Sequence, residues 1–61
     1  MTDRSDAIIV RFEPASGPPE RRRFEPRSDG RWVRIEEYWN GCRWAVRGTE
    51  FVDDVAVEAP A

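Results

Sequence analysis

The side chains that most often carry out catalysis are scarce in this sequence. It has no histidine and no lysine, because all 10 Lys+Arg residues are arginines. Without histidine the usual general base near neutral pH is missing, and without lysine neither a Schiff base nor a phosphate-binding P-loop can form. The glycines at 17, 30, 41 and 48 occur singly, so none cradles a phosphate. We therefore expect no enzymatic activity, no cofactor and no small-molecule substrate.

The cysteine and the acidic residues also indicate no catalytic or metal-binding site. Cys42 is the only cysteine, which excludes an intrachain disulfide, and one thiolate with carboxylates is a poor ligand set for zinc. We interpret Cys42 as a small interior residue; the alternative is a redox-sensitive thiol. Glu36 and Glu37 are adjacent, and adjacent residues of a strand point to opposite faces, so they cannot act as an acid/base pair. The sequence predicts neither a catalytic nor a metal site.

The arginines and aromatic residues of the middle of the chain are the one set with binding chemistry. Between Glu20 and Arg47 there are eight arginines and five acids. Arginine interleaved with exposed aromatics on a sheet is typical of surfaces that hold single-stranded nucleic acid by phosphate contact and base stacking. The candidate binding residues are Arg23, Arg27, Trp32, Arg34, Tyr38, Arg43 and Arg47, accompanied by Arg21.

The same residues also fit a solvated face on which guanidinium groups pair with Glu25 and Glu36 and stack on aromatic rings. The net charge of −2 and the isoelectric point near 5.0 favour this interpretation, since dedicated nucleic-acid binders are usually strongly basic. We therefore expect an interaction module that binds protein or forms a homodimer. Nucleic-acid binding is the alternative.

The element that must position these residues is a β-hairpin over residues 31–47, RWVRIEEYWNGCRWAVR. Asn40-Gly41 between two alternating runs predicts a two-residue type I′ turn. That turn pairs Trp39 with Cys42 and Ile35 with Val46. One face then carries the residues Val33, Ile35, Trp39, Cys42, Trp44 and Val46, with Glu37 as its only charge, and we expect it to exclude water.

Two strands are predicted before the hairpin. Residues 7–13 are rich in β-branched residues, and residues 20–27 pair with the hairpin through a two-residue turn at Asp29-Gly30. Between them, residues 14–19, PASGPP, form a stiff connection or a proline-rich ligand. The predicted register sets Phe24 opposite Ile35 and Pro26 opposite Val33 on the apolar face.

Charge pairing supports this register. It places Arg22, Arg23 and Glu25 opposite Glu37, Glu36 and Arg34, and each such pair contributes about 0.2–1 kcal/mol across a ladder. The first strand is predicted to set Val10 opposite Phe24 and Phe12 opposite Arg22, which leaves Arg11 opposite Arg23.

The end of the chain is predicted to add a fifth strand. Gly48-Thr49 suits a type II′ turn that pairs Val46 with Phe51, and residues 51–58 follow as a strand. Because Asp53 then falls on the apolar face, a bulge at Asp53-Asp54 is needed. The alternative is a short helix from Thr49.

Together these elements predict an all-β fold, a single small antiparallel meander of four to five strands. Its apolar face must be covered, and we expect a curled sheet or a small open barrel. The alternatives are folding of the chain ends across the sheet and face-to-face dimerisation. We expect one β domain over residues 7–58 between flexible tails at 1–6 and 59–61. No apolar run is long enough to span a membrane and the first residues do not resemble a signal peptide, so we expect a cytoplasmic protein.

Overall fold

The computed structural model describes residues 7–58, and the predicted tails at 1–6 and 59–61 lie outside the described residues. One antiparallel sheet contains the strands β1 (Ile8–Phe12), β2 (Glu20–Pro26), β3 (Trp32–Trp39) and β4 (Trp44–Val52). They are ordered β1-β2-β3-β4, so each strand pairs with its neighbour in sequence. The predicted all-β meander is confirmed, with four strands, no helix among residues 7–58 and no closure into a barrel.

The connection between β2 and β3 is one residue longer than predicted. The Arg27 N–H donates to the Arg31 carbonyl at 2.7 Å, and the Gly30 N–H donates to the Arg27 carbonyl at 3.2 Å. Gly30 has a φ of 87°. This is the three-residue hairpin loop in which a type I turn is followed by a left-handed residue. The predicted two-residue turn is therefore wrong.

That extra residue changes which face Phe24 and Pro26 occupy. Phe24 lies opposite Arg34 and Pro26 opposite Trp32, instead of Ile35 and Val33. The predicted register of β2 on β3 is wrong by one residue, and a one-residue shift moves every side chain of a strand to the other side of the sheet. Pro26 is the last residue of β2, where its missing N–H does not interrupt the ladder.

The hairpin between β3 and β4 turns where predicted but with a longer loop, residues 40–43. The Asn40 Oδ1 atom accepts hydrogen bonds from the N–H groups of Cys42 at 2.9 Å and Arg43 at 3.0 Å. Gly41 has a φ of 102°. Trp39 is therefore opposite Trp44, not Cys42. The prediction that Cys42 is an interior residue is wrong, because Cys42 is exposed in this loop.

A β-bulge interrupts β4 at Arg47. Glu37 is opposite Val46 whereas Glu36 is opposite Gly48, so one extra residue is accommodated on β4. Beyond the bulge the strand continues to Val52. The predicted turn at Gly48-Thr49 is therefore wrong, and residues 53–58 form neither the predicted fifth strand nor the alternative helix.

Strand β1 pairs with β2 two residues away from the predicted register. Val10 is opposite Arg22 and Phe12 is opposite Glu20. Arg11 faces Arg21 instead of Arg23. The predicted register of β1 on β2, and with it the pairing of Arg11 with Arg23, is therefore wrong.

The registers define two faces, which we name after the adjacent acids of β3. The Glu37 face carries Ile9, Arg11, Arg21, Arg23, Glu25, Val33, Ile35, Glu37, Trp39, Trp44, Val46, Thr49 and Phe51. The Glu36 face carries Ile8, Val10, Phe12, Glu20, Arg22, Phe24, Pro26, Trp32, Arg34, Glu36, Tyr38, Ala45, Gly48, Glu50 and Val52.

Neither face forms a dry core. No hydrophobic side chain of the described chain is buried, and the buried residue is an acid, Glu37, at 5% exposure. Val33, Ile35, Trp39, Trp44 and Val46 share the Glu37 face as predicted. The prediction that this face excludes water is nevertheless wrong, because the shifted β2 supplies arginines beside them instead of Phe24 and Pro26.

Candidate interaction surface

The structure divides the seven predicted binding residues among three places. Trp32, Arg34 and Tyr38 alternate along β3 on the Glu36 face, and Arg47, at the bulge, reaches Tyr38 on the same side. The others lie elsewhere: Arg23 is on the Glu37 face, Arg27 is in the loop after β2, and Arg43 is in the hairpin loop. The predicted single arginine and tryptophan surface is therefore not one continuous surface.

On the Glu36 face the guanidinium groups are held by carboxylates and by an aromatic ring. The Arg34 Nη2 atom lies 3.0 Å from Glu36 and 2.8 Å from Glu50. The guanidinium carbon of Arg47 lies 5.1 Å from the centre of the Tyr38 ring. The Arg34 Nε–H is enclosed and has no acceptor among the described residues. Arg34 and Arg47 thus have their orientation set by neighbours on the sheet.

Glu37 is the centre of an ion-pair cluster on the opposite face. Its Oε1 atom lies 2.6 Å from the Arg21 Nε and its Oε2 atom lies 3.4 Å from the Arg23 Nη1. Arg23 also pairs with Glu25. The hydrogen bond to Glu25, with the charges of Glu25 and Glu37, raises the pKa of Arg23 against the opposing effect of desolvation. Two arginines and two acids leave this cluster neutral.

The aromatic residues of the Glu37 face lie beside further arginines. The guanidinium carbons of Arg21 and Arg11 lie 4.4 Å and 5.8 Å from the centre of the Trp44 ring. Trp39 meets Trp44 edge to face, with ring centres 5.6 Å apart and an interplanar angle of 71°. Pro19 joins them around an open depression of about 280 Å³. Cation–π contact explains how Arg11 and Arg21 tolerate each other across the ladder.

At the opposite end of the same face, Phe51 is covered in a similar way. The guanidinium carbons of Arg27 and Arg31 lie 4.6 Å and 5.5 Å from the centre of its ring. Arg27 also pairs with Asp29 at 3.2 Å, and Arg31 pairs with Asp53 at 3.5 Å. Arg27, a predicted binding residue, thus contacts an aromatic ring that sequence reasoning placed elsewhere.

Most arginines of the described chain are neutralised locally. Ion pairs with carboxylates form at Arg21, Arg22, Arg23, Arg27, Arg31, Arg34 and Arg47. Within residues 7–58, Arg11 and Arg43 are the two arginines outside these pairs. Local pairing lowers the positive potential available to a polyanion, so little free charge is concentrated in one place.

Residues after β4 fold back over the Glu36 face. Val55 and Val57, with Ile8, Val10 and Phe24, line an open groove of about 510 Å³. The segment that was predicted to extend the sheet instead partly covers it. No comparable segment from residues 53–58 lines the depression at the tryptophan pair on the Glu37 face.

Sequence reasoning missed the exposed apolar side chains. Large hydrophobic residues that remain at least about one third exposed are Ile9, Val10, Phe12, Trp39, Val46, Phe51 and Val57. Three of them fall within the five residues of β1. The signal was the run of β-branched residues in β1, which was interpreted as a packed strand instead of an exposed edge.

The described residues contain no cluster of three or more potential metal ligands. Nor do they include a helix with the length and apolar character needed to cross a membrane.

Comparison with known proteins returns nothing: no family model, no curated protein and no solved structure matches the chain.

Proposed function

We propose that this chain is a small non-catalytic interaction module that binds protein, either another protein or a second copy of itself. The observation that supports this proposal is the lack of any buried hydrophobic side chain among residues 7–58, combined with seven large exposed ones. A sheet is stable when its apolar face is packed against a second layer. Here a partner supplies the apolar contacts that the single sheet lacks.

The energetic argument concerns the exposed side chains of both faces. Val46, Ile9 and Phe51 are 60%, 57% and 54% exposed. Removing apolar surface from water contributes about 25 cal/mol per Å², so covering these residues supplies a driving force that the isolated sheet lacks. The absence of histidine and lysine from the sequence supports the non-catalytic part of the proposal. A cytoplasmic location belongs to it as well, because the single thiol needs no oxidising compartment.

The experiment combines light scattering with unfolding across a dilution series. If the module associates with itself, the mass and the midpoint of urea unfolding rise with concentration, because association stabilises the folded state by mass action. If it binds a different protein, the chain stays monomeric but binds a dye specific for exposed apolar surface. A monomer at every concentration that binds no such dye would contradict the proposal.

A second candidate function is the binding of single-stranded nucleic acid. The observation that favours it is the sharing of one face by Trp32, Arg34, Tyr38 and Arg47. Stacking of bases on aromatic rings and contacts of arginine with phosphates are the means by which sheets bind single strands. The local ion pairs of Arg34 and Arg47 weigh against it, since a phosphate must displace a carboxylate from each.

Binding of labelled oligonucleotides at low and high salt tests this second candidate. Phosphate contacts require that affinity fall steeply with salt. Replacing Arg34 and Arg47 together by alanine should weaken the binding, whereas replacing Arg27 and Arg31, which lie over Phe51, should leave it unchanged. An absence of binding at low salt would eliminate this candidate.

A further inference from the structure

Strand β1 is an open edge of the sheet with unusually exposed apolar side chains. It pairs with β2, and within residues 7–58 no strand lies on its other side. Its residues Ile9, Val10 and Phe12 are 57%, 50% and 38% exposed. Edge strands are usually protected by charged side chains, especially lysine, by proline, by a bulge or by being very short. The register of β1 contains no bulge, and its five residues, IIVRF, include no proline and a single charge, Arg11.

The other edge, β4, differs in this respect. Its bulge at Arg47 shifts the register between Glu36 and Glu37. A bulge bends a strand and raises its twist, which makes it a poor template for a further strand. Of the two edges, β1 is therefore the one suited to pairing.

Building on the proposed function, we propose that the partner is a second copy of this chain, and that two β1 strands pair antiparallel about Val10. The full overlap of two five-residue strands sets Val10 opposite Val10 of the second copy. It sets Ile8 opposite Phe12 and Ile9 opposite Arg11. The two sheets become one continuous sheet of eight strands, related by a two-fold axis at Val10.

Charge selects this register. Arg11 is the single charged residue of β1, and in the centred register it faces Ile9 of the second copy. A slip of two residues in one direction would set Arg11 against Arg11, and like charges directly opposite one another destabilise a ladder. The same slip in the other direction, centred on Ile9, would leave Arg11 and Phe12 without partners in the second β1. A slip of one residue would join the Glu37 face of one copy to the Glu36 face of the other. The centred register avoids both faults.

Apolar contacts also favour the centred register. On the Glu36 face, Ile8, Val10 and Phe12 of the two copies form three adjacent cross-strand pairs, which make one apolar patch of six side chains. This patch continues the groove that Ile8 and Val10 already line with Val55 and Val57. On the Glu37 face, Ile9 of the second copy meets Arg11, whose guanidinium carbon lies 5.8 Å from the centre of the Trp44 ring. Each exposed apolar residue of β1 thereby gains a side-chain neighbour across the new ladder.

The two-fold axis gives a sharp test by sedimentation of the full-length chain. Val10→Glu and Val10→Arg each set like charges opposite one another, so each variant should dimerise at least about tenfold more weakly, a factor equivalent to about 1.4 kcal/mol. An equimolar mixture of the two should recover a dimer, because glutamate then faces arginine. Thr49→Glu, at an exposed position of the opposite edge strand β4 and facing the uncharged Ile35, is the matched control and should dimerise like the parent chain.

Circular dichroism of each variant establishes that it retains its strands. Dimerisation of the parent chain that Val10→Glu leaves unchanged would overturn pairing through β1, while the proposed interaction function would stand. Folded variants that fail to combine in the mixture would overturn the register centred on Val10. A parent chain that is monomeric and binds no apolar dye would overturn the proposed function together with this inference.

Discussion

The Nε atom of Arg21 lies 2.6 Å from the Oε1 atom of Glu37, while its guanidinium carbon lies 4.4 Å from the centre of the Trp44 ring. One side chain thus links β2, β3 and β4. At 5% exposure, Glu37 is more deeply buried than any hydrophobic side chain of the described residues. The most enclosed part of the sheet is therefore an ion-pair cluster, and we expect the stability of the single chain to depend on it.

Replacing Glu37 by glutamine tests this dependence. The change keeps the shape and an acceptor but removes the charge shared by Arg21 and Arg23. We expect the free energy of unfolding to fall by about 1.5–3 kcal/mol, the range for hydrogen bonds to charged groups. Urea unfolding at fixed concentration measures the difference.

The control for that change is Glu50→Gln on the opposite face. Glu50 pairs with Arg34 at 2.8 Å, but its side chain is 58% exposed. Exposed ion pairs contribute about 0–1 kcal/mol, so this variant should lose little. Equal losses for the two variants would contradict the central role of Glu37.

Asp29 provides a prediction on pH. Its pKa is lowered, first by the hydrogen bond from Arg27 and then by the backbone N–H of Arg31. A lowered folded-state pKa means that its stabilising contribution is complete above the unfolded pKa and disappears as pH falls through the folded value. Asp29→Asn keeps an acceptor for the Arg31 N–H, which lies 3.0 Å from Oδ1, but removes the charge.

The difference in unfolding free energy between the parent chain and Asp29→Asn should therefore be largest near neutral pH. It should shrink as the solution is acidified below the ordinary aspartate pKa of 3.8. Asp29→Ala, which loses the acceptor too, should be less stable than Asp29→Asn at every pH. A constant difference between aspartate and asparagine across the acid range would refute this account of the turn.

Gly41 and Gly48 make a matched pair for testing the hairpin loop. A Cβ added at either glycine meets nothing within 4 Å, so sterics against neighbours do not distinguish them. Gly41 has a φ of 102°, whereas the φ of Gly48 is negative, as is usual for residues other than glycine. Gly41→Ala should destabilise the chain by about 1–3 kcal/mol through backbone strain.

Gly48→Ala should instead be neutral or stabilise by up to about 1 kcal/mol, because alanine restricts the unfolded chain. Thermal unfolding of both variants measures the contrast. A loss at Gly48 as large as that at Gly41 would contradict this contrast and show that the bulge is as sensitive to substitution as the loop.

Cys42 is predicted to react with a thiol reagent in the native state nearly as fast as in denaturant. Its side chain is exposed in the loop, where the backbone N–H of Cys42 donates to Asn40. Cys42→Ser should change stability by no more than about 0.5 kcal/mol, as exposed positions usually do. Strong native-state protection of the thiol would restore the interior position expected from the sequence.

Alternation along single strands was predictable, and pairing between strands was not. Val33, Ile35 and Trp39 share a face because side chains alternate along any extended strand. Asp29-Gly30 gave the right place for a turn but the wrong length, since Gly30 serves equally as the left-handed residue of a three-residue loop. One residue in that loop sent Phe24 and Pro26 to the Glu36 face.

The signal for the bulge at Arg47 was Gly48, because a glycine inside a strand often marks a bulge. The prediction instead assigned this glycine to the first position of a type II′ turn. The effect of the bulge is to bring Thr49 and Phe51 onto the face of Ile35 and Val33. The grouping of Trp32, Arg34 and Tyr38 was predictable from β3 alone, whereas the positions of Arg23 and Arg27 depended on the loop that was misread.

Because many of its apolar side chains remain about half exposed in the folded state, the sheet should have an unusually small heat-capacity change of unfolding. The heat capacity of unfolding rises by about 0.45 cal/mol/K for each Å² of apolar surface newly exposed. With Ile9, Val46 and Phe51 already more than half exposed, the single chain should fall below the usual value of about 12–15 cal/mol/K per residue. Its stability would then vary little between cold and warm conditions, and calorimetry would find the missing heat-capacity change in the binding step.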